Sequence, residues 1–571
     1  MANLTRRNFI GVGVAGALGA AGLGLAGCAP QKEAEESLSS TGPDNLVWDE
    51  EYDVVVAGFG GAGGAAAIEA FDNGASVLVL DSDAMPGGAT SINGGVIQCA
   101  GSSVQKAAGI EDNVDDWFDY IKAMEGPSFH EELIRPMTLE TPENVDWLIG
   151  LGAEIPAEIH RSATRSIPES GLYFNDGTLD FYPDRPPTPR GHVLVGHGGG
   201  FLKAFTNGAE ERGIEIRKET PVTDLVQDES GRVVGVIAES GGKKVRIGAG
   251  KGVVISTGHF NSNEAMVATH IPYVNGIEFN SSAGHPSAMG DGQRMMARHG
   301  ADMVGMGEAT HTLSMVPEET TIRSMHVNAA CNRYWSEQGW HNDHRGSMIH
   351  KQPMQIAWCI FDDNIRAAAG DAEDDAIQCT ADTIEKLAEM CALNPRALAD
   401  AVARYNGYCA EGVDLEYAKD PEFLIPIEKA PFHAIRLRYV WMTNGGAHID
   451  PEAHVLDPDG NVIEGLFAAG ACAHGQKSNM FNPGSGLNMA WGYLHRPPCG
   501  PQCGLGPVSA PCEIGIAPLS PRPAYPCGAG PSVSAIAQGK GNELLLGVNA
   551  YLLVYILHMG AGRAFGDDKP L

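Results

Sequence analysis

Residues 51–95 constrain the fold more than any other part of the chain. Tyr52 to Ala57 is a short apolar run built on three valines, as expected of a buried parallel strand, and it ends at Gly58-Phe59-Gly60-Gly61-Ala62-Gly63. An Ala-rich helical segment follows. Gly58 permits a tight turn, Gly60 lets the backbone approach a pyrophosphate, and Gly63 lets the helix pack against the strand. The helix N-terminus then faces the phosphates. A second strand, Ala75 to Leu80, ends in Asp81, 23 residues after Gly58, where a carboxylate can accept hydrogen bonds from a ribose. Strand, glycine turn, helix, strand and acid together read as a dinucleotide site.

Just past that acid, Pro86-Gly87-Gly88-Ala89-Thr90-Ser91 and Asn93-Gly94-Gly95 supply a second glycine-rich, hydroxyl-bearing loop. This resembles the GG-x-[ST] segment of FAD-dependent enzymes, specifically those of the fumarate reductase and 3-ketosteroid dehydrogenase flavoprotein family. The resemblance implies FAD rather than a nicotinamide, with Gly58, Gly60, Gly63, Asp81, Gly87, Gly88, Thr90, Ser91, Gly94 and Gly95 at the cofactor. It also implies an α/β fold: a Rossmann-like FAD-binding domain with an inserted α+β capping domain.

Further short matches extend the resemblance over residues 51–493. Val222 stands in the strand whose backbone contacts adenine in the family. Ser256-Thr257-Gly258-His259-Phe260 stands at the [AS]TGGF turn, with His259 in place of the second glycine. Met289-Gly290-Asp291-Gly292 resembles the TGDG element, and Leu466-Phe467-Ala468-Ala469-Gly470 the GLYAAGE turn, with Ala471 where the acid usually is. Leu487 and Asn488 open a helix whose N-terminus can face the flavin. Val222, Thr257, Gly258, Asp291, Gly470, Leu487 and Asn488 are therefore expected at FAD.

The chain has 571 residues, too many for one ordinary domain. The reading divides it into an export signal (1–28), a linker (29–50), the FAD-binding domain (51–308), a cap (309–440), a return to the FAD-binding domain (441–493) and a divergent Pro/Gly-rich tail (494–571). Within the cap the pattern is one of mixed helices and loops. Asp382 and Glu385 suggest a capping box ahead of one helix, and Asn394-Pro395 starts the next.

Residues Thr5-Arg6-Arg7-Asn8-Phe9-Ile10, a weakly apolar run and Leu25-Ala26-Gly27-Cys28 match a twin-arginine signal with a lipoprotein box. The expectation is an exported protein of the cell envelope, either tethered to the membrane by lipid at Cys28 or, where the signal is an ordinary cleaved one, periplasmic or extracytoplasmic. A formal net charge of -32 disfavours nucleic acid as a partner. Of the twelve cysteines none lies in CxxCH, so the chain carries no c-type haem motif; Cys99, Cys331, Cys359, Cys379, Cys391, Cys409 and Cys472 are scattered without ligand spacing and suggest buried apolar filler rather than a metal or iron-sulfur site. A separate electron donor is expected.

In the resembling family a proton-transferring residue lies four positions after the Glu of an RFxNE motif. Arg333 and Glu337 match that motif, and the position falls on His341, an imidazole able to act as general acid or base. The His and Arg that hold carboxylates in fumarate reductases have no counterpart in Trp441-Met442-Thr443-Asn444-Gly445-Gly446 or Asn482-Pro483-Gly484-Ser485-Gly486. The latter resembles the ketosteroid dehydrogenases' YPGPG, which implies that the Asn482 amide and the Gly486 N–H polarise a carbonyl; Asn482 could equally cap the helix that follows. The expected activity is reduction or desaturation of a C=C bond conjugated to a carbonyl in a small-molecule enone, lactone or unsaturated acid. Two alternatives stand beside it: a fumarate-type reductase of another unsaturated carboxylate, using Arg333, Arg345 or Arg438, and a catalytically inactive flavin-binding lipoprotein.

Overall fold

Five parallel strands form the scaffold, and the residues they bury explain why they pair as they do. The computed structural model describes residues 47–126, 129–161, 167–175, 184–185, 187–274, 281–282, 284–313, 316–338, 342–372, 374–473 and 475. The export signal, most of the linker, the tail, and the candidate residues His341, Asn482, Gly486, Leu487 and Asn488 lie outside the described residues.

Strand Glu50–Ala57 runs parallel to Val77–Leu80 on one side and to Lys243–Ile255 on the other. Val77–Leu80 in turn pairs with Glu215–Arg217, and Ile255 with Ala468 of strand Val462–Ala468. Val55, Val56, Leu78, Val79, Val253 and Ile255 are fully buried, so the strands read as unbroken apolar runs rather than alternating ones. Helix Gly61–Asp72 lies against this sheet and buries Ala65, Ala66, Ala67 and Ile68. A hairpin, Val233–Ser240 to Lys243–Ile255, turns at two glycines with positive φ and branches the sheet toward Val222–Gln227. A smaller sheet, Val96–Gln98, Gly191–Val193, Gly171–Tyr173 and Ile159–His160, leaves the same domain just after Gly95.

A second hydrophobic core gathers residues from Phe260 to Trp441. At its centre is an antiparallel sheet of Met325–Asn328, Ala357–Asp362, Phe432–Arg436 and Cys379–Ala381. These strands are the β part of the α+β cap, in a region whose sequence pattern shows only helices and loops. They are short and wholly or nearly wholly buried, so neither alternation nor length betrays them in the sequence. The helix cap at residues 382–383 is a correction: Thr383, not Asp382, accepts the N–H of Lys386 and is the N-cap of Ile384–Met390. Asn394 does cap Pro395–Glu411 as its sequence suggests. Among the described residues no helix is long and apolar enough to cross a membrane.

The two cores meet at strand Ala309–Leu313. It pairs antiparallel with Tyr439–Thr443, and the chain from Asn444 leads on to strand Gly446–Ala447, beside Cys472 and Ala473.

Candidate active site

Gly58, Asp81, Thr257 and Gly470 follow closely on the carboxyl ends of four of the parallel strands, where ligands bind in open α/β sheets. Gly58 turns the chain with φ 100°, and its N–H donates to Leu80 O at 2.8 Å. A Cβ there would sit 2.6 Å from Ser256 O; at Gly63 it would lie 1.9 Å from Gly58 O. These two glycines allow helix Gly61–Asp72 and the turn before it to press together. Gly470, with φ 71°, packs so closely on the same helix that a Cβ would come within 2.8 Å of the Ala62 Cβ. The first turn of the helix holds no acidic residue, so no side-chain carboxylate of its own offsets the positive end of the helix dipole that would face an anion.

Asp81 is buried beside this turn. Its carboxylate accepts Phe59 N–H at 2.7 Å and Asp83 N–H at 2.9 Å. Burial pushes its pKa up, opposed by those two N–H groups. Thr220 N–H donates to Asp81 O at 2.8 Å, which brings Val222 alongside. The second loop meets the helix directly, since Thr90 Oγ1 accepts Gly61 N–H at 2.8 Å. Gly87 and Gly88 both take positive φ, and the Ser91 hydroxyl donates to Gly88 O at 2.8 Å. Gly94 leads into Gly95, whose Cβ, if it had one, would meet His197 Cα at 2.2 Å. The loop is thus seated on the start of helix Gly198–Arg212.

The third wall is Ser256–Phe260. The Ser256 hydroxyl lies within 2.9 Å of Ala57 O and 3.0 Å of Gly58 O. Thr257 Oγ1 accepts Gly292 N–H at 3.2 Å, which ties in helix Asp291–Arg298, while the Asp291 side chain itself turns to Arg294. Gly258, with φ 79°, has open space where a Cβ would project. His259, the departure from the family's glycine, donates its Nδ1–H to Thr443 O at 2.7 Å. Burial lowers its pKa, so it pins the turn to the end of strand Tyr439–Thr443 as a neutral imidazole. A glycine-lined turn at a helix N-terminus, a buried carboxylate and a hydroxyl loop are the donor set that an adenine dinucleotide requires, and these residues fit FAD.

On the cap side the sequence reading missed His311. It lies on strand Ala309–Leu313, fully buried, and neither ring nitrogen has a hydrogen-bond partner among the described residues. Its ring stacks on His350 at 4.2 Å, with Tyr439 edge-on at 4.9 Å and Tyr273 at 6.0 Å. Burial, with His350 beside it, drops its pKa to about 3, so the imidazole is neutral near pH 7. Helix Asn342–His350 presses on this strand at Gly346, where a Cβ would come within 2.5 Å of His311 O. The signal available in sequence was one histidine in Ala-Thr-His-Thr-Leu, with no spacing to mark it.

Arg333 is not an anion partner for substrate. Its guanidinium is 1% exposed and bonds Glu337 and Asp414 bidentately, at 2.8–2.9 Å, with Glu416 at 3.3 Å. Burial pushes the Glu337 carboxyl up, but Lys419 and Arg333 outweigh it and hold it at about 2. Arg345 bridges to Glu318 at 3.0 Å. The described cysteines are free thiols, all buried except the half-buried Cys409.

The FAD binding domain family matches residues 53–489 of the chain. The NADH:fumarate oxidoreductase of Klebsiella pneumoniae (strain 342) is 28% identical over 459 residues, 78% of this chain and 47% of that protein, so the chain spans about half its length. The digoxin reductase of Eggerthella lenta is 27% identical over 556 residues, covering 85% of this chain and 95% of that one. Among solved structures, the 3-ketosteroid-delta4-(5alpha)-dehydrogenase of Rhodococcus jostii RHA1, in complex with 4-androstene-3,17-dione, is 31% identical with a TM-score of 0.72. The likeness covers 79% of this chain and 96% of that one.

Proposed function

The chain belongs to the FAD binding domain family and is an FAD-dependent oxidoreductase, and on that premise we propose that it reduces, or in reverse desaturates, a C=C bond conjugated to the carbonyl of a neutral, bulky enone, lactone or steroid-like substrate. The observation that carries this reading is His311, a buried neutral imidazole with both nitrogens open among the described residues. Such a group can donate one hydrogen bond to a ketone or lactone oxygen but offers no charge to a carboxylate. A dianion placed against this imidazole would find no ion pair there to offset its desolvation.

When bound, FAD supplies hydride transfer at its N5. The chain's own residues do the rest. Asp81 would accept the ribose hydroxyls, Gly58, Gly60 and Gly63 would bring backbone to the pyrophosphate, and Thr90, Ser91, Gly94 and Gly95 would hold the flavin side. His311 polarises the substrate carbonyl, assisted by the Asn482 amide and the Gly486 N–H. His341 transfers the proton at the α-carbon. The twin-arginine and lipobox pattern supports export and an anchor at Cys28, and the lack of a haem motif supports a separate electron donor. The likeness to NADH:fumarate oxidoreductase favours a second reading, reduction of an unsaturated carboxylate.

An anaerobic titration separates the two. The FAD-loaded chain, reduced with dithionite, is mixed with 4-androstene-3,17-dione, simple cyclic enones, unsaturated lactones and unsaturated acids, and flavin reoxidation is followed optically. Reoxidation by enones and lactones is expected; reoxidation by acids alone moves the assignment to the second reading.

A further inference from the structure

Gln98 belongs to no part of the cofactor machinery, yet it is the polar side chain most in need of a partner in its domain. Strand Val96–Gln98 pairs antiparallel with Gly191–Val193, which pairs with Gly171–Tyr173. Side chains alternate across a strand. Ile97, His192 and Leu172 therefore face the main core, while Val96, Gln98, Gly191, Val193 and Tyr173 share the opposite face. That face buries a cluster of its own: Val96, Tyr173 and Val193.

Gln98 sits in this cluster with 0% exposure, and neither Oε1 nor Nε2 has a hydrogen-bond partner among the described residues. Its cross-strand neighbour Gly191 has no room for a side chain: a Cβ would lie 2.3 Å from Tyr173 Cε1 and 3.0 Å from Asn175 Cγ. The hydroxyphenyl ring and the second amide thus lean over Gly191, beside Gln98. A buried amide without partners destabilises a fold, whereas Met or Leu of similar length would pack against Val96 and Val193 at no such penalty. Its position matters too. Gln98 lies three residues beyond Gly95, about 10 Å along an extended strand from the loop assigned above to the flavin.

We propose that Gln98 is a specificity-determining residue whose amide hydrogen-bonds a neutral hydroxyl or carbonyl on the substrate, remote from the reacting double bond. Donor and acceptor on one side chain match a hydroxyl, which is both. This rests on the enone reading given above.

The test compares testosterone with androst-4-en-3-one, which lacks the remote oxygen, in the FAD-loaded wild-type chain and in Gln98→Met. The wild type is expected to favour the hydroxylated steroid in kcat/KM by about tenfold or more, and Gln98→Met to bring that ratio close to one. Melting temperature is read in parallel. It is expected to stay level or rise in Gln98→Met, because no partner among the described residues is lost. A variant that keeps the preference, melts lower or fails to fold overturns the proposal, since each outcome assigns the amide to the fold rather than to substrate. A wild type that turns over neither steroid, by contrast, refutes the parent reading.

Discussion

At the scale of single residues, the most exacting positions are glycines whose absent Cβ defines a distance. A Cβ at Gly63 would lie 1.9 Å from Gly58 O, a backbone atom that cannot swing aside. Gly63→Ala should therefore push helix Gly61–Asp72 off the sheet. We expect loss of bound FAD and a destabilisation at or above the usual overpacking range of about 1–3 kcal/mol. Gly74→Ala, where φ is 82° but a Cβ meets nothing within 4 Å, should retain FAD and lose only the left-handed backbone strain of about 1–2 kcal/mol. Flavin absorbance per chain and denaturant midpoints check both; FAD retained in Gly63→Ala would refute the argument. These positions were legible because motif spacing is itself geometry. Asp81 was legible for the same reason, as the residue that ends the second strand. The cap at residues 382–383 was not, since Asp382 and Thr383 are both good N-caps and only the observed bond to Lys386 separates them.

At the scale of elements, legibility stops where meaning depends on packing between distant segments. His311 acquires its character from strand Tyr439–Thr443, about 130 residues away, and from helix Asn342–His350. Neither contact leaves a trace in Ala-Thr-His-Thr-Leu. His311→Phe keeps the ring and the stack on His350 but removes both nitrogens. It should retain FAD and melting temperature while lowering kcat/KM by about 10²–10³, the loss expected for one oxyanion-type donor. A kcat/KM within twofold of wild type would exclude His311 from the site. Arg333 shows the converse, a residue matched to a functional motif that turns out to be structural. It ties Glu337 to Asp414, and Tyr405 and Tyr417 flank its guanidinium at 5.2 and 5.3 Å. Arg333→Met takes the ion partner from Asp414 and leaves Glu337 with Lys419, 3.5 Å away, and should cost about 3–5 kcal/mol. Urea unfolding followed by tryptophan fluorescence measures it, with Trp335 and Trp358 packed against the same core.

At the scale of the whole molecule, the formal charge of -32 invites the view that acid should stabilise the chain by relieving repulsion. The buried histidines argue the opposite between pH 6.5 and 5, where most carboxylates have yet to titrate. His192 gives its Nδ1–H to Arg190 O at 2.8 Å and faces the Ser102 hydroxyl at 2.6 Å, and burial holds its pKa at about 4. Burial also holds His326 and His311 at about 3. All three titrate near 6.5 when unfolded, so below that pH the unfolded chain binds protons the native chain refuses. Stability must then fall as pH drops, each group contributing up to about 1.4 kcal/mol per pH unit until its native pKa is reached. Glu337, at about 2 in the fold, extends the loss below the ordinary glutamate range. The load is uneven. His192 shares a sheet with Ile97 and Leu172 of the first core, whereas the strands of His311 and His326 contribute Ala309, Leu313, Met325 and Val327 to the second. Acid should therefore loosen the cap before the FAD-binding domain. Hydrogen exchange at pH 7 and pH 5 should show protection falling first in Met325–Asn328 and Ala309–Leu313, and His326→Gln should flatten the fall there while leaving Gly191–Val193 unchanged. Equal loss of protection in both cores would mean that they unfold as one unit, and that the histidines act on the chain as a whole.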